Sequence, residues 1–317
     1  MSRMKRSCKQ IFARGINWFL VALLTIVLVL TSCTPSEQIP PKPECIFDDS
    51  PEPRLICFNE TPERIISLAP SNTEILFALG LGDKVVGVTD WCDYPPEALE
   101  KEKVGGPWTP DVEKILALQP DLILASDTNP FDIITNLEGL GLTVFGIKSI
   151  DLNDVQNDIR TVGEITDKEV EAQVLTSEMA EGIRAVTDIT SELEERPRVF
   201  YLIDQYLWTV GQGTFMHELI VKGGGVNICQ NVTGYAMITI EEVIAHNPEV
   251  IITSSWPGVY EWAMNETSLN STDARQNNRV FVCDDDLVQR PGPRLVKGLE
   301  WFAHFIQPDI FPEEPED

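Results

Sequence analysis

Basic residues are scarce in this chain. Its 317 residues include 24 lysines and arginines against 50 aspartates and glutamates, a net charge of −26. Five of the basic residues and none of the acidic ones lie in the first 32 positions, so the remainder is more acidic still. Such a surface repels phosphate backbones, which argues against nucleic acid as a partner. The acidity is typical of a soluble domain in a salty or extracellular setting.

Signatures of catalysis are also missing. The sequence has no G-x-S-x-G elbow, no phosphate-binding P-loop, no G-x-G-x-x-G after a strand and no H-E-x-x-H. Its three histidines, His217, His246 and His304, are scattered, and a histidine metal site would need all three to converge. We therefore expect no metal site, no cofactor and no enzyme. A secreted hydrolase is kept as a remote alternative.

No Cys-x-x-Cys pair occurs among the seven cysteines, so a zinc site has no support. Five cysteines follow Cys33, and an odd number leaves at least one thiol free or intermolecular. Cys45 and Cys57 flank a proline-rich segment and are predicted to form a local disulfide, which an extracytoplasmic location permits. The pairing of the other three is left open: Cys92, Cys229 and Cys283.

The N-terminus has the pattern of an export signal. A basic segment, 1–14, precedes an apolar run, 18–30, and Cys33 follows a small residue. This resembles the bacterial lipobox, in which cleavage precedes the cysteine and its thiol is lipidated. We predict a signal peptide over 1–32, a lipid anchor on Cys33 and a proline-rich tether over 33–60. An uncleaved anchor helix is the alternative, and both place the domain outside the cytoplasm at a membrane.

Two stretches of the chain repeat each other. Residues 111–125 and 239–253 each contain a short amphipathic helix, a polar-proline stop and an apolar run of strand length. Each has a glutamate at its third position, Glu113 and Glu241. One unit per half-chain predicts two similar lobes, since a solenoid would need several tandem copies.

Strands and helices alternate around the repeats, which predicts parallel α/β lobes. Residues 168–195 differ, because apolar residues recur every three to five positions without a proline. They predict one amphipathic helix of about 40 Å that spans two lobes. The predicted strands are 64–68, 84–88, 122–125, 143–147, 198–203, 250–253 and 279–282. The predicted parts are an N-terminal lobe over 61–166, a connecting helix over 167–197, a C-terminal lobe over 198–308 and an acidic tail over 309–317.

Two S/T-x-x-E patterns predict capping boxes at helix starts. Ser71 with Glu74 is expected to open one helix, and Thr239 with Glu242 another. The capping role accounts for Glu74, so no further role is assigned to it.

Aromatic residues cluster near predicted strand ends and just before each repeat glutamate. In an open α/β lobe, ligands bind at the carboxyl ends of strands. Loop tryptophans are usually covered by something, either their own lobe or a ligand. As a group they predict a large flat ligand between the lobes. The set is Trp91, Tyr94, Trp108, Trp208, Tyr235 and Trp256, with Asp286 and Arg290 as polar contacts after the last strand.

Residues 64–308 resemble the periplasmic binding proteins for cobalamin and iron complexes, which are the receptors of ABC importers. The resemblance is carried by residues 66–74, 86–95, 112–125, 223–227, 239–253 and 290–294. It implies two Rossmann-like α/β lobes joined by one rigid helix, the class III arrangement, with the ligand in the cleft between them. It also implies a monomer whose partners are an ABC permease and its ATPase.

Within that family the chain is most similar to the cobalamin-binding branch. Trp91 stands where a tyrosine lines the corrin pocket, Trp208 where phenylalanine does and Tyr235 where tryptophan does. Ser126 replaces another pocket tryptophan. The resemblance assigns Glu113 and Glu241 to permease docking, and a ferric siderophore or haem remains the alternative to a corrinoid. Together with Trp256, which is predicted from its position after a strand, the ligand-binding set is Trp91, Asp93, Tyr94, Trp108, Trp208, Tyr235, Asp286 and Arg290.

Overall fold

A computed structural model describes residues 44–48 and 53–315 of the chain. The predicted signal peptide, the predicted lipidation site Cys33 and residues 33–43 and 49–52 of the predicted tether lie outside these residues. Within the described part, no helix combines the length and the apolar character needed to cross a bilayer.

The described chain begins with a hairpin of β1 (Glu44–Phe47) and β2 (Leu55–Phe58). Cys45 and Cys57 face each other across it and form the predicted disulfide. Ile56 and Phe58 pack against the main core, and the Asp48 carboxylate accepts a hydrogen bond from the backbone N–H of Gly146 at 3.3 Å. This part of the predicted tether is therefore folded onto the protein, because its alternate side chains are apolar and reach the core.

The N-terminal lobe is built on a parallel sheet in the order β5-β4-β3-β8-β9. Its central strands are buried, as expected where helices cover both faces of a parallel sheet. The strands are β3 (Ile65–Ser67), β4 (Val85–Val88), β5 (Glu102–Lys103), the hairpin strands β6 (Gly105–Gly106) and β7 (Thr109–Pro110), β8 (Leu122–Ser126) and β9 (Val144–Ile147). The helices are α1 (Pro70–Ala78), α2 (Val112–Ala117), α3 (Phe131–Gly139) and α4 (Leu152–Ile165), with 3-10 turns at Gly82–Lys84 and Pro96–Glu100.

The connecting helix is α5 (Glu169–Thr190), which has 22 residues and is about 33 Å long. The prediction of about 40 Å was too long. The apolar periodicity continues past the helix because Leu193 still packs beside Gly224. The helix itself ends where Arg196 donates a hydrogen bond to the carbonyl of Thr190 at 2.8 Å.

The C-terminal lobe has a parallel sheet in the order β12-β10-β14-β15 and an antiparallel pair, β11–β13. The strands are β10 (Arg198–Leu202), β11 (Trp208–Val210), β12 (Val226–Asn227), β13 (Tyr235–Met237), β14 (Val250–Thr253) and β15 (Val280–Val282). The helices are α6 (Phe215–Lys222), α7 (Ile240–His246), α8 (Val259–Asn265), α9 (Asp273–Gln276), α10 (Asp285–Val288) and α11 (Leu295–Ile306), with a 3-10 turn at Thr267–Ser271.

Helix α5 packs against both lobes. A Cβ atom on Gly182, in the middle of the helix, would lie only 2.4 Å from Cγ1 of Val296 in α11. Buried side chains of α4, α5 and α11 belong to one continuous apolar core. The glycine allows α11 to approach closely, so the connecting helix is held along its length and not only at its ends.

The two predicted capping boxes have opposite outcomes. At α7, Thr239 Oγ1 accepts from the Glu242 N–H and the Glu242 carboxylate accepts from the Thr239 N–H, which confirms that prediction. At α1 the prediction is wrong. The helix starts at Pro70 with Ala69 as its N-cap and without a side-chain cap, while the buried Glu74 turns towards two arginines.

Candidate functional site

A cavity of about 400 Å³ lies between the two lobes at the carboxyl ends of their strands. Loops after β3, β4, β8 and β9 form one wall, and loops after β14 and β15 with β13 form the other. This is the position at which open parallel sheets bind ligands. The lining residues are Ala69, Pro70, Ser71, Trp91, Pro107, Trp108, Ser126, Asp127, Thr128, Ser149, Phe215, Tyr235, Trp256, Asp285, Asp286, Gln289, Arg290 and Pro291.

Four of the predicted aromatic residues line this cavity, two from each lobe. Trp91 and Trp108 meet edge to face with ring centroids 4.6 Å apart, and Tyr235 and Trp256 come from the opposite lobe. About half of each side chain remains exposed, from 50 to 55%. Large apolar rings left this open offer flat contact area that a ligand can cover.

Two antiparallel elements of the backbone position two of these rings, Trp108 and Tyr235, at the cavity. Trp108 stands with Pro107 at the two-residue turn of the β6–β7 hairpin, directly before α2. Tyr235 is the first residue of β13, where it pairs with Val210 of β11, and α7 follows three residues after the strand. Each repeat unit thus has a two-stranded antiparallel element ahead of its helix, and that element carries an aromatic side chain to the cavity.

Five charged side chains form an inter-lobe ion cluster beside the cavity: Glu74, Asp93, Asp286, Arg290 and Arg294. Glu74 and Asp93 belong to the N-terminal lobe and the other three to the C-terminal lobe. Arg294 contacts both carboxylate oxygens of Glu74, at 2.9 Å from Nε and 2.6 Å from Nη2. Arg290 lies 2.7 Å from Asp93, 2.7 Å from Asp286 and 3.3 Å from Glu74.

The carboxylates of the cluster have pKa values that are shifted in different directions by burial and by the arginines. Burial raises the pKa of Glu74, against the lowering effect of Arg294 and Arg290. Burial also raises the pKa of Asp286, which Arg290 opposes. At Asp93 burial acts in the same sense, but the hydrogen bond and charge of Arg290 outweigh it and the pKa is lowered. The bidentate contact of Glu74 with Arg294 is the geometry of an ionised carboxylate.

Three predicted ligand-binding residues do not line the cavity. Asp93 contacts Arg290 instead, and the Tyr94 ring lies under the Arg294 guanidinium at 3.9 Å from its centroid. Trp208 opens β11 opposite Met237 and is 41% exposed outside the lining. Asp93 and Tyr94 thus position the two arginines, and Trp208 is not among the residues that line the cavity.

In the loop after β8, the resemblance placed only Ser126 at a pocket position, and the rest of the loop was missed as part of the wall. Ser126, Asp127 and Thr128 line the cavity, and the buried Asn129 holds the loop in place. Its side-chain oxygen accepts from the Ser126 N–H at 2.7 Å, and its amide group donates to the Pro107 carbonyl at 2.8 Å. The rule that located Trp256 after β14 would also have located Asp127 after β8, had it been applied to polar residues.

Asp127 is open to solvent, yet the concave wall partly desolvates it and raises its pKa, while Lys148 lowers it. The other missed lining acid, Asp285, is buried and already bonded. It accepts from Ser255 and Gln289 at 3.1 and 2.6 Å, and from the Tyr201 hydroxyl at 3.3 Å. Asp285 therefore ties β10, the loop after β14 and α10 together, whereas Asp127 is left facing the cavity.

The two repeat glutamates occupy equivalent exposed positions. Glu113 is the second residue of α2 and Glu241 the second of α7. Both side chains are exposed, and each helix begins just after the element that carries a cavity aromatic. The helix dipole stabilises a glutamate in the first turn by only a few tenths of a kcal/mol. This explains why an acidic residue stands at each position, but it does not assign the residue a function.

The family model for periplasmic binding proteins matches residues 65–287. An ABC transporter substrate-binding lipoprotein of Bacillus subtilis, YvrC, is 34% identical over 310 residues, which cover 92% of this chain and 97% of that protein.

Solved structures are similar over most of the chain. The periplasmic vitamin B12-binding protein BtuF of Vibrio cholerae has a TM-score of 0.70 and 32% identity, covering 80% of this chain and 98% of that one. The periplasmic heme-binding protein RhuT from Roseiflexus sp. RS-1 has a TM-score of 0.69 and 26% identity, covering 77% of this chain and 97% of that one.

Proposed function

This chain belongs to the periplasmic binding protein family, and from that premise we propose that it captures a corrinoid outside the cytoplasm and delivers it to an ABC permease. The ligand is bound and released without any covalent change. The observation that carries the proposal is the cavity between the lobes, where four half-exposed aromatic rings face a space of about 400 Å³. Sites that hold large flat ligands combine apolar contact area with a few polar groups, as this one does.

The proposed contacts follow the geometry. Trp91, Trp108, Tyr235 and Trp256 cover the faces of the macrocycle, and Asp286 and Arg290 lie at its edge. Asp93 and Tyr94 act one step back by orienting the arginines. Trp208 contacts the ligand only where a substituent extends beyond the cavity towards β11.

The two repeat glutamates are proposed to dock the permease. Glu113 and Glu241 are exposed, one on each lobe, at the start of equivalent helices. Carboxylates placed in this way can pair with arginines on a partner surface, while the cavity aromatics just before them hold the ligand. One surface would then present both the docking charges and the opening of the cleft to the permease.

We further propose that the mature chain begins at Cys33 and is anchored there by lipid. The sequence around Cys33 supports this, as does the likeness to a substrate-binding lipoprotein. The lobe boundaries near residues 166 and 198 fit this scheme, because α5 lies between the two sheets. Two or more acyl chains on Cys33 would keep the receptor at the membrane of its importer.

Calorimetry on the full-length lipoprotein in detergent, titrated with cyanocobalamin, tests the proposal. We expect one ligand per chain at micromolar affinity or tighter, and Tyr235→Ala should weaken it by about tenfold, or about 1.4 kcal/mol. Tyr206→Ala is the matched control, since Tyr206 is 66% exposed and lies outside the lining.

Haem is the comparison ligand in the same titration, because a heme-binding protein has the same fold. If calorimetry detects binding of haem and none of cyanocobalamin, the ligand is an iron complex and not a corrinoid. An equal loss of affinity in Tyr206→Ala and Tyr235→Ala would place the ligand outside the cavity.

A further inference from the structure

Arg290 is the one cation among the described residues that line the cavity, and its charge is already matched. Carboxylates of Glu74, Asp93 and Asp286 lie within 3.3 Å of its guanidinium, and its side chain is only 14% exposed. An anionic ligand group approaching Arg290 would have to compete with carboxylates held in place by the fold. Arg290 is therefore poorly suited to attract a negative ligand.

Arg294, which is not among the lining residues, is also ion-paired. Arg294 binds both oxygens of Glu74, and the Tyr94 ring covers one face of its guanidinium. Its side chain is 16% exposed. If either arginine turned to a ligand, the buried Glu74 carboxylate would lose one of the two cations that balance its charge.

The opposite wall of the cavity presents acceptors. Asp127 follows β8 in a loop that Asn129 fixes, and Lys148, the cation that acts on its charge, is exposed and outside the lining. On the same wall as Arg290, Asp286 keeps 41% of its side chain exposed despite its contact with that arginine. Ionised carboxylates accept hydrogen bonds and donate none, so they require donors on the ligand.

We propose that this cleft selects a macrocycle whose polar rim carries amide donors and rejects one whose rim carries carboxylates, and that Asp127 is the residue that reads this difference. The inference rests on the proposed function and narrows it. An amide N–H can donate to Asp127, whereas a carboxylate at the same place brings two like charges together in a partly desolvated wall. Corrins have amide rims, and haem has two propionates.

The test uses ligands that differ by one group. Cyanocobalamin is compared with its monocarboxylic acids, in each of which one peripheral amide is hydrolysed to a carboxylate of nearly the same shape. On the full-length protein we expect at least one monoacid to bind about tenfold more weakly than the parent. Asp127→Asn should reduce that ratio to about threefold or less. Glu178→Gln, which removes the same charge from the exposed face of α5, should leave the ratio unchanged.

The possible results separate the two proposals. If cyanocobalamin binds and every monoacid binds equally well, the proposed function stands and the charge selection is wrong. If the ratio survives in Asp127→Asn, the assignment to Asp127 is overturned. If cyanocobalamin does not bind, the comparison moves to haem and its diamide: tighter binding of the diamide supports charge selection without the corrinoid, and equal binding overturns it.

Discussion

The two lobes have similar frameworks but bring different charges to the space between them. Each has a parallel sheet, a repeat helix with an exposed glutamate and an antiparallel element that carries an aromatic ring to the cavity. The N-terminal lobe contributes Glu74, Asp93 and Asp127, whereas the C-terminal lobe contributes both arginines together with Asp286. The shared features support the ligand from both sides, and the unshared ones join the lobes and set the polarity of the cleft.

This difference shows where a duplicated fold can vary. Strands and repeat helices are constrained by packing, so the two copies stay alike in position and length. The loops at the carboxyl ends of the strands are free of that constraint. Four of the five charged residues of the inter-lobe ion cluster lie in loops or at the ends of helices, while Glu74 is the fifth residue of α1. Three experiments test how far the likeness of the two lobes extends.

Reversal of both docking charges has the largest expected effect. Glu113→Arg with Glu241→Arg should reduce cellular uptake of labelled cyanocobalamin to background, because each lobe would present the wrong charge to the permease. Calorimetry on the same variant should show ligand affinity within a few-fold of the wild type. The two single reversals should each leave partial and similar uptake if the lobes dock equivalently.

Glu178→Arg, an exposed reversal on the connecting helix, is the control and should transport normally. Strongly unequal single reversals would show that the likeness of the lobes does not extend to docking. A parallel loss of ligand affinity would place the two glutamates in the cleft or in the support of the fold.

Removal of the buried carboxylate between the lobes comes next. Glu74→Gln leaves Arg290 and Arg294 close together without their shared partner, and breaking a buried pair in this way costs about 3–5 kcal/mol. Denaturant unfolding followed by tryptophan fluorescence should show a loss of that size. The matched control is Glu63→Gln, which breaks an exposed pair with Lys84 and should have little effect. Equal losses in the two variants would mean that the cluster does not stabilise the lobes against each other.

The smallest effects concern the caps of the two repeat helices. Asp111 caps α2 through the Lys114 N–H, and Asp111→Ala should lower the free energy of unfolding by about 1 kcal/mol.

At α7 the hydrogen bonds from the backbone and hydroxyl of Thr239 lower the pKa of Glu242 below its usual 4.5. The stabilisation from Glu242 is therefore complete above pH 4.5 and is lost as the pH falls through the lowered pKa.

Carbon NMR titration of the Glu242 carboxyl checks this directly. In Thr239→Ala its midpoint should move up towards 4.5, because one of the two donors is lost. If the titration is unchanged in that variant, the Thr239 hydroxyl does not lower the pKa of Glu242.

Most of the framework could be predicted from the sequence. The strand predicted at 250–253 is found at Val250–Thr253, and 122–125 is found at Leu122–Ser126. Buried parallel strands are continuous apolar runs between turn signals, so local pattern is enough to find them. The capping box at Thr239 was equally local, and it is present.

Three of the failures share one physical cause. Ser71-x-x-Glu74 has the sequence of a capping box, but Glu74 binds arginines more than 200 positions further along the chain. No local pattern shows that contact. The same holds for Leu193, whose packing against the C-terminal lobe continued the helical pattern beyond the end of α5. It also holds for the hairpin within the predicted tether, because its Ile56 and Phe58 pack against the main core.

The sequence alone determined the two α/β lobes, the repeat, the connecting helix and the aromatic residues at strand ends, because each depends on neighbours along the chain. The folded arrangement was needed to show which of those aromatics share a cavity and that Trp208 is not among the residues lining it. It was also needed to show that Arg290 and Arg294 bind carboxylates of the other lobe. The charge available to a ligand depends on how much of each group is already neutralised, and that balance exists only once the lobes have come together.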